Sequence, residues 1–159
     1  MRIEAELQAL GLTLPAPLEL PPGVVLPFPW VRVHGRRVFV SGHGPQHSDG
    51  SLAGPFGKVG DAVTLEQAHE LARRVALSVL ASLRRELGDL DRITWLRVFG
   101  MVNSAPGFIR QPAVINGCSE LILRLYGAER GAHARSAVGL AALPFDIAVE
   151  IEAEVELDA

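Results

Sequence analysis

The C-terminal segment of the chain alternates strictly between apolar residues and glutamates. Residues 148–157 carry a glutamate at every second position, namely Glu150, Glu152, Glu154 and Glu156. Side chains two residues apart in a strand lie on the same face of a sheet. The segment is therefore predicted to be a strand with one apolar face and one face of carboxylates. Because like charges repel, we expect that second face to meet water, arginines or another subunit.

A long amphipathic helix is predicted to begin at Thr64 and to end before Gly88. Thr64 and Gln67 fit a capping box, in which the threonine hydroxyl accepts from a backbone amide and the glutamine reaches back. Apolar residues then recur at the three- and four-residue spacing of one helix face, and glycine is a typical helix end.

Shorter patterns predict the remaining elements and the fold class. They are a helix over residues 2–10, a hairpin of 31–33 and 38–40, a strand over 93–102, a helix over 112–126 and strands over 135–142 and 148–157. The order from residue 31 is β-β-α-β-α-β-β, which predicts an α+β sandwich with one mixed sheet and two helices on one face.

Two irregular segments are also predicted. Residues 15–29 hold six of the 11 prolines and should form an extended arm across a surface. Residues 41–60 are glycine-rich and should form a long loop. We expect one domain over residues 1–159, with the short helix and arm in 1–30 and the core in 31–159.

The composition favours a cytoplasmic globular protein. The net charge of −3 and the pI of about 5.9 give no basic excess for nucleic acid. Cys118, the single cysteine, cannot form an internal disulfide and is predicted to be a small core residue, which fits a reducing cytosol. No apolar run reaches about 18 residues, and the start lacks a signal peptide's apolar region, so we expect no membrane partner.

Glycine and histidine motifs in the 41–60 segment do not match cofactor sites. Gly42 and Gly44 lack the third glycine of a dinucleotide fingerprint, and the residue after Lys58 is not the serine or threonine of a P-loop. His43 and His47 are predicted to be solvated loop histidines, because no cysteine or acidic cluster completes a zinc site. Neither a metal nor a cofactor is expected.

Arg135 begins an otherwise apolar strand and needs an explanation. A guanidinium near a core requires a partner, and arginine suits bidentate pairing with a carboxylate. Residue chemistry alone favours an internal ion pair with Glu150 or Glu152. The alternative is that the carboxylate belongs to a ligand. The neighbouring His133 is predicted to be a surface or interface residue.

Four segments resemble the RidA/YjgF family, also called the L-PSP or translation-inhibitor family. They are Val38 to Gly42, the capped helix with the following Leu-Gly-Asp-Leu, Val114 to Gly117, and Ala134-Arg135-Ser136 with Leu143-Pro144 and residues 149–153. The resemblance covers roughly residues 28–157.

This resemblance implies a chorismate-mutase-like fold, assembled as a homotrimer with ligand clefts between subunits. In the archetypes the cleft hydrolyses reactive 2-imino or enamine acids to 2-oxo acids and ammonia. By resemblance Arg135 would hold the substrate carboxylate and Glu150 would place the attacking water. The pocket would be lined by Phe28, Ser41, Gly42, Asn116 and the backbone of Ala137.

Two departures from the archetypes leave alternatives open. Phe28 is the nearest match to a tyrosine of the family, so a hydroxyl is missing, and Ala137 stands where the archetypes have a cysteine. The missing hydroxyl favours a second interpretation, a non-catalytic trimer that binds small carboxylates. The acidic pI and the lack of a basic, aromatic surface disfavour a third, ribonuclease or translation-inhibitor activity.

Overall fold

A five-stranded mixed sheet forms the centre of the fold in the computed structural model, which describes residues 1–158. The strands are β1 (Val31–His34), β2 (Arg37–His43), β3 (Ile93–Asn103), β4 (Ala134–Leu140) and β5 (Val149–Leu157). Their spatial order is β1-β2-β5-β3-β4, with β3 and β4 parallel and the other neighbours antiparallel. The predicted α+β class and strand order along the chain are confirmed.

Two long helices, α2 (Leu65–Leu87) and α3 (Gln111–Arg130), pack on one face of this sheet, and a short α1 (Arg2–Ala9) precedes them. The predicted capping box of α2 is present: Gln67 N donates to Thr64 Oγ1 over 3.1 Å, and Thr64 N donates to Gln67 Oε1 over 2.9 Å. Gly88 ends the helix in the left-handed conformation, with φ of +77°.

Gly117 allows α3 to approach the backbone of α2 closely. A Cβ atom on this residue would lie 2.0 Å from the carbonyl oxygen of His69. Only a glycine therefore fits at this crossing. The core between helices and sheet contains large fully buried side chains, including Leu80, Ile115 and Ile151.

Two element boundaries differ from the prediction. Helix α3 was expected to end near Tyr126; Gly127 does break the helical conformation, with φ of +75° and ψ of 177°, but a further turn follows to Arg130. Strand β2 extends beyond Val40 into the predicted loop, because a bulge allows His43 to pair with Ile151 of β5.

The proline-rich arm lies across the surface, as predicted. Residues 11–30 contain no helix or strand. The arm is held by backbone groups: Ala16 N donates to Ser48 O over 3.0 Å, and Arg85 Nη1 donates to Pro15 O over 3.1 Å. Within the described part of the chain, none of the helices has the length and apolar character that a membrane span requires.

Candidate functional site

The central strand β5 separates a covered face from an open face of the sheet. Its apolar residues are buried under the helices, and its four glutamates lie on the open face, as the alternation predicts. Glu154 accepts from Arg37 Nη2 over 2.7 Å, and Glu156 lies 3.8 Å from Arg36. Among residues 1–158, by contrast, Glu150 and Glu152 have neither a hydrogen-bonding partner nor an ion pair for their carboxylates.

The Glu150 carboxylate fills the space beside Gly42. In the bulge of β2, Ser41 and Gly42 together oppose Glu152, because Val40 pairs with Ala153 and His43 with Ile151. A Cβ atom at Gly42 would lie 2.8 Å from Glu150 Oε2. Burial, and secondarily the neighbouring Glu152, raise the pKa of Glu150 above its ordinary value. A carboxyl group in this environment is a suitable general base.

Ser41 and Phe28 lie close to this bulge. The Ser41 hydroxyl donates to Pro29 O over 2.8 Å, which ties the end of the arm to β2. The exposed Phe28 packs edge-to-face on Trp30, with ring centroids 5.8 Å apart. A concave pocket of about 530 Å³ extends from Ser41 across the open face to Phe99 and Arg97.

Arg135 lies on the opposite face of the sheet from Glu150. It pairs with the buried Val98 of β3, so its side chain projects toward α3. Its Nη1 donates to Asn116 Oδ1 over 2.8 Å and to Ser119 Oγ over 3.2 Å, and its Nη2 donates to Pro112 O over 3.4 Å. These contacts leave the Nε–H and one N–H of Nη2 for a further acceptor.

The predicted internal ion pair of Arg135 with Glu150 or Glu152 is wrong. All three acceptors around the guanidinium are uncharged, and within residues 1–158 no carboxylate pairs with it. The reason is the register of the sheet, which places the arginine and the glutamates on different faces. Ala137 shares the face of Arg135, because it pairs with Gly100 and packs against the core.

The predicted site residues therefore form two groups in one chain. Arg135, Asn116 and Ala137 lie on the helix side at β4, an edge strand; Ser41, Gly42 and Glu150 lie around the β2–β5 pair. From the registers, Glu150 is two strands and three residues away from Arg135, so their Cα atoms are roughly 14 Å apart. The side chains project from opposite faces and cannot contact one ligand within a single chain.

Sequence reasoning missed a hydrogen-bonded chain beside Arg135. Ser119 Oγ lies 2.9 Å from His133 Nε2, and His133 Nδ1 lies 2.7 Å from Gly131 O. Because a carbonyl only accepts, Nδ1 carries the proton and the Ser119 hydroxyl donates to Nε2 of the neutral ring. Ser119 follows Asn116 by three residues on α3, the spacing that puts both on one helix face, and this signal could have identified it.

A shallow pocket of about 340 Å³ opens at this chain. It is lined by Arg135, Ser119 and His133 and by the apolar side chains of Leu123 and Ala132. His133 is half-buried here, and Leu123 is exposed. A ligand carboxylate on Arg135 would thus have a serine, a histidine and an apolar surface nearby.

His43 is buried, so its prediction as a solvated loop histidine is wrong. The residue is only 5% exposed, and its ring lies against Trp30, with centroids 5.0 Å apart. Nδ1 donates to Ser41 O over 2.6 Å, and Nε2 accepts from Ser82 Oγ over 2.8 Å. Burial lowers the pKa of His43 to about 4. The strand continues through the bulge and carries the ring into the core, whereas His47 is exposed as predicted.

Metal ligands and the single thiol are the remaining candidate groups among the described residues. Within residues 1–158, no group of three histidine, cysteine, aspartate or glutamate side chains is arranged to hold a metal ion. Cys118 is buried in the core, as predicted, and burial raises the pKa of its thiol to about 12. A thiol in this state is a poor nucleophile.

Comparisons with known proteins agree with the fold and identify a family. Protein TCP17 of Trypanosoma cruzi is 42% identical over 160 residues, covering 99% of this chain and 95% of that protein. The structure of Atu1372 from Agrobacterium tumefaciens, a protein of unknown function, matches with a TM-score of 0.85 and 39% identity, covering 99% of this chain and 93% of the other.

A candidate endoribonuclease from Shewanella oneidensis has a TM-score of 0.87 at 26% identity, and the match covers 99% of this chain and 100% of that one. The sequence profile of the family called Endoribonuclease L-PSP matches residues 25–157. This is the family to which the motifs around Gly42, Arg135 and residues 149–153 pointed. The chain therefore belongs to the Endoribonuclease L-PSP family, also known as YjgF or RidA.

Proposed function

We propose that the protein hydrolyses reactive 2-imino and enamine acids to 2-oxo acids and ammonia, at clefts between the subunits of a homotrimer. The observation that carries the proposal is Arg135. Its guanidinium is fixed by uncharged acceptors and retains donors for one more partner. Arginine held in this way suits bidentate recognition of a ligand carboxylate.

Glu150 supplies the second requirement of the reaction. Its carboxylate sits beside Gly42, and burial raises its pKa toward the range in which a carboxylate accepts a proton efficiently. With the substrate carboxylate on Arg135, Glu150 takes a proton from a water molecule that adds to the imine carbon. The water adds to the protonated imine, so the carbinolamine is neutral. When its nitrogen is protonated, the C–N bond breaks with the electron pair going to ammonia, the hydroxyl proton is lost as the carbonyl forms, and Glu150 releases its proton to solvent.

The separation of the two groups supports the trimer. Arg135 and Glu150 cannot meet around one ligand within a chain, but the β4 edge of one subunit can meet the β2–β5 region of another. The open face of the sheet also bears apolar side chains, among them Phe39 and Phe99, that another subunit would cover. The expected native mass is three times 17.1 kDa.

The experiment is an assay of purified protein with 2-iminopropanoate generated in situ, following ammonia and 2-oxo acid release. Wild-type protein should accelerate hydrolysis over buffer. Arg135→Lys should lose most of this activity while keeping the native mass, because lysine cannot reproduce the bidentate fork. Unchanged activity in Arg135→Lys would show that Arg135 is not part of the active site.

The second candidate function is binding of small carboxylates without catalysis. The exposed Phe28 favours it, since this residue stands where the archetypes have a tyrosine and offers no hydroxyl. Wild-type protein that binds 2-oxo acids in calorimetry, yet gives no acceleration over buffer, would decide for this function.

A further inference from the structure

The proposed reaction needs a proton donor for the leaving amine. An amine leaves a carbinolamine readily only when its nitrogen is protonated. An arginine guanidinium does not give up its proton under ordinary conditions, and Glu150 takes part first as the base toward water. Histidine is the side chain whose charge changes near neutral pH, so it suits a step of this kind.

His133 lies one side chain away from the Arg135 guanidinium. Ser119 Oγ connects them, at 3.2 Å from Arg135 Nη1 and 2.9 Å from His133 Nε2. The other ring nitrogen is fixed by Gly131 O over 2.7 Å, so the ring cannot turn without losing that bond. All three side chains line the same pocket of about 340 Å³.

The protonation state of His133 decides the direction of the serine hydroxyl. With the neutral ring, the hydroxyl donates to Nε2. With the charged ring, Nε2–H donates to Ser119 Oγ, and the hydroxyl proton becomes available to the pocket. Ser119 is therefore placed to connect His133 with a ligand held on Arg135.

We propose that His133, acting through Ser119, gives the proton that allows ammonia to leave. This inference rests on the proposed function. Charged His133 protonates Ser119 Oγ as the serine proton moves to the carbinolamine nitrogen. The C–N bond then breaks with its electron pair going to ammonia, the oxygen lone pair forms the carbonyl, and the hydroxyl proton returns through Ser119 to His133. No oxidant or cofactor enters the balance.

A purely structural role would give a different result. His133 and Ser119 join the α3–β4 connection to α3, so their bonds could serve only to hold Arg135 in place. If the bonds only position Arg135, their loss would weaken substrate binding and raise KM. Loss of a proton donor should lower kcat and change its pH dependence.

The test measures kcat and KM for 2-iminopropanoate against pH in Ser119→Ala, His133→Gln and wild type. Because the relay needs a protonated donor, wild-type kcat should fall on the alkaline side. Both variants should lose about 10²-fold or more in kcat near neutral pH, with KM nearly unchanged and the alkaline fall removed. Imidazole added to His133→Ala should restore part of the rate.

His69→Gln is the matched control, because His69 pairs with Glu120 on the outer surface of the helices. It should keep the wild-type profile, and native mass and melting temperature should show that all variants fold. If Ser119→Ala and His133→Gln both keep the wild-type value of kcat and its fall at alkaline pH, the proton transfer from His133 through Ser119 is overturned and the proposed function stands. A rise in KM alone also overturns it. No acceleration by wild-type protein overturns both.

Discussion

Arg135 and Glu150 are charges that the described part of the chain leaves without an opposite partner. Each is partly removed from water, Arg135 against α3 and Glu150 beside Gly42. Partly buried charges without partners cost stability, and structural ion pairs are the usual remedy. In the proposed mechanism, these two charges are kept for a ligand and a reaction.

Glu150→Gln should lower the rate of imine hydrolysis by roughly 10²–10⁴-fold, the usual contribution of general acid–base catalysis. The substitution keeps size and shape, so ligand affinity and native mass should change little. Steady-state kinetics with binding of a 2-oxo acid would separate the two effects. A rate within a few-fold of wild type would show that Glu150 is not the base.

Glu152→Gln is the control, and it has its own pH signature. Glu152 shares the open face but does not hold the water in the proposed mechanism; its charge helps to raise the pKa of Glu150. Since the base must be ionised, the acidic limb of the wild-type profile should lie above the ordinary glutamate range of about 4.3. Removing the Glu152 charge should move that limb to lower pH. A limb that stays in place would contradict this coupling.

His43 should make the folded state sensitive to acid. Its pKa falls from 6.5 in the unfolded chain to about 4 in the fold, so the neutral ring is favoured on folding. Its contribution is fully present above pH 6.5 and is lost as the pH falls from 6.5 to about 4, by roughly 3 kcal/mol. Denaturant unfolding across this window should show the loss in wild type and a smaller loss in His43→Gln. If the free energy of unfolding depends on pH in the same way in wild type and His43→Gln, the proposed contribution of His43 is wrong.

At the scale of elements, local sequence signals predicted helix α2 and both of its ends, because Thr64, Gln67 and Gly88 each act on neighbouring backbone. The alternation in residues 149–157 likewise gave the faces of β5. The bulge in β2 was not predictable, since it depends on pairing with a strand more than 100 residues later along the chain. That long-range pairing is also why His43 was mistaken for a loop residue.

The site residues also divide into features that local sequence predicts and features that depend on long-range pairing. The motif resemblance supplied Arg135, Asn116 and Glu150 as candidates, but the relative placement of Arg135 and Glu150 depends on the registers of β3 with β4 and β5. The ion pair favoured by residue chemistry was therefore wrong. The spacing from Asn116 places Ser119 on the same helix face, but its contact with His133 arises only when the α3–β4 connection folds back on α3.

Gly117→Ala should destabilise the fold more than other single changes on α3. The new Cβ would meet backbone atoms of α2, 2.0 Å from His69 O and 2.9 Å from His69 C, and backbone cannot move aside as a side chain can. We expect a loss of about 3 kcal/mol or more in the free energy of unfolding. Glu129→Ala, at an exposed position of the same helix, should change it by less than about 0.5 kcal/mol. Equal effects would contradict the close crossing.

At the scale of the whole molecule, the chain presents two separate groups of candidate site residues and one uncovered sheet face. The Arg135 group lies at the β4 edge, and the Glu150 group lies at the central strand β5 and its neighbour β2. In a closed ring of three subunits, each of the three interfaces would join the β4 edge of one subunit to the β2–β5 region of the next. The central claim is therefore that every active site takes Arg135 from one subunit and Glu150 from its neighbour.

Mixed trimers test this claim most directly. Arg135→Lys and Glu150→Gln should each be nearly inactive alone, and the two would be unfolded together, refolded at equal amounts and assayed. In randomly assembled trimers, about a quarter of the interfaces should pair an intact Arg135 from one subunit with an intact Glu150 from its neighbour. About a quarter of the sites should therefore be active. The double variant mixed with either single variant should restore none. A mixture no more active than its separate components would contradict a site shared between subunits.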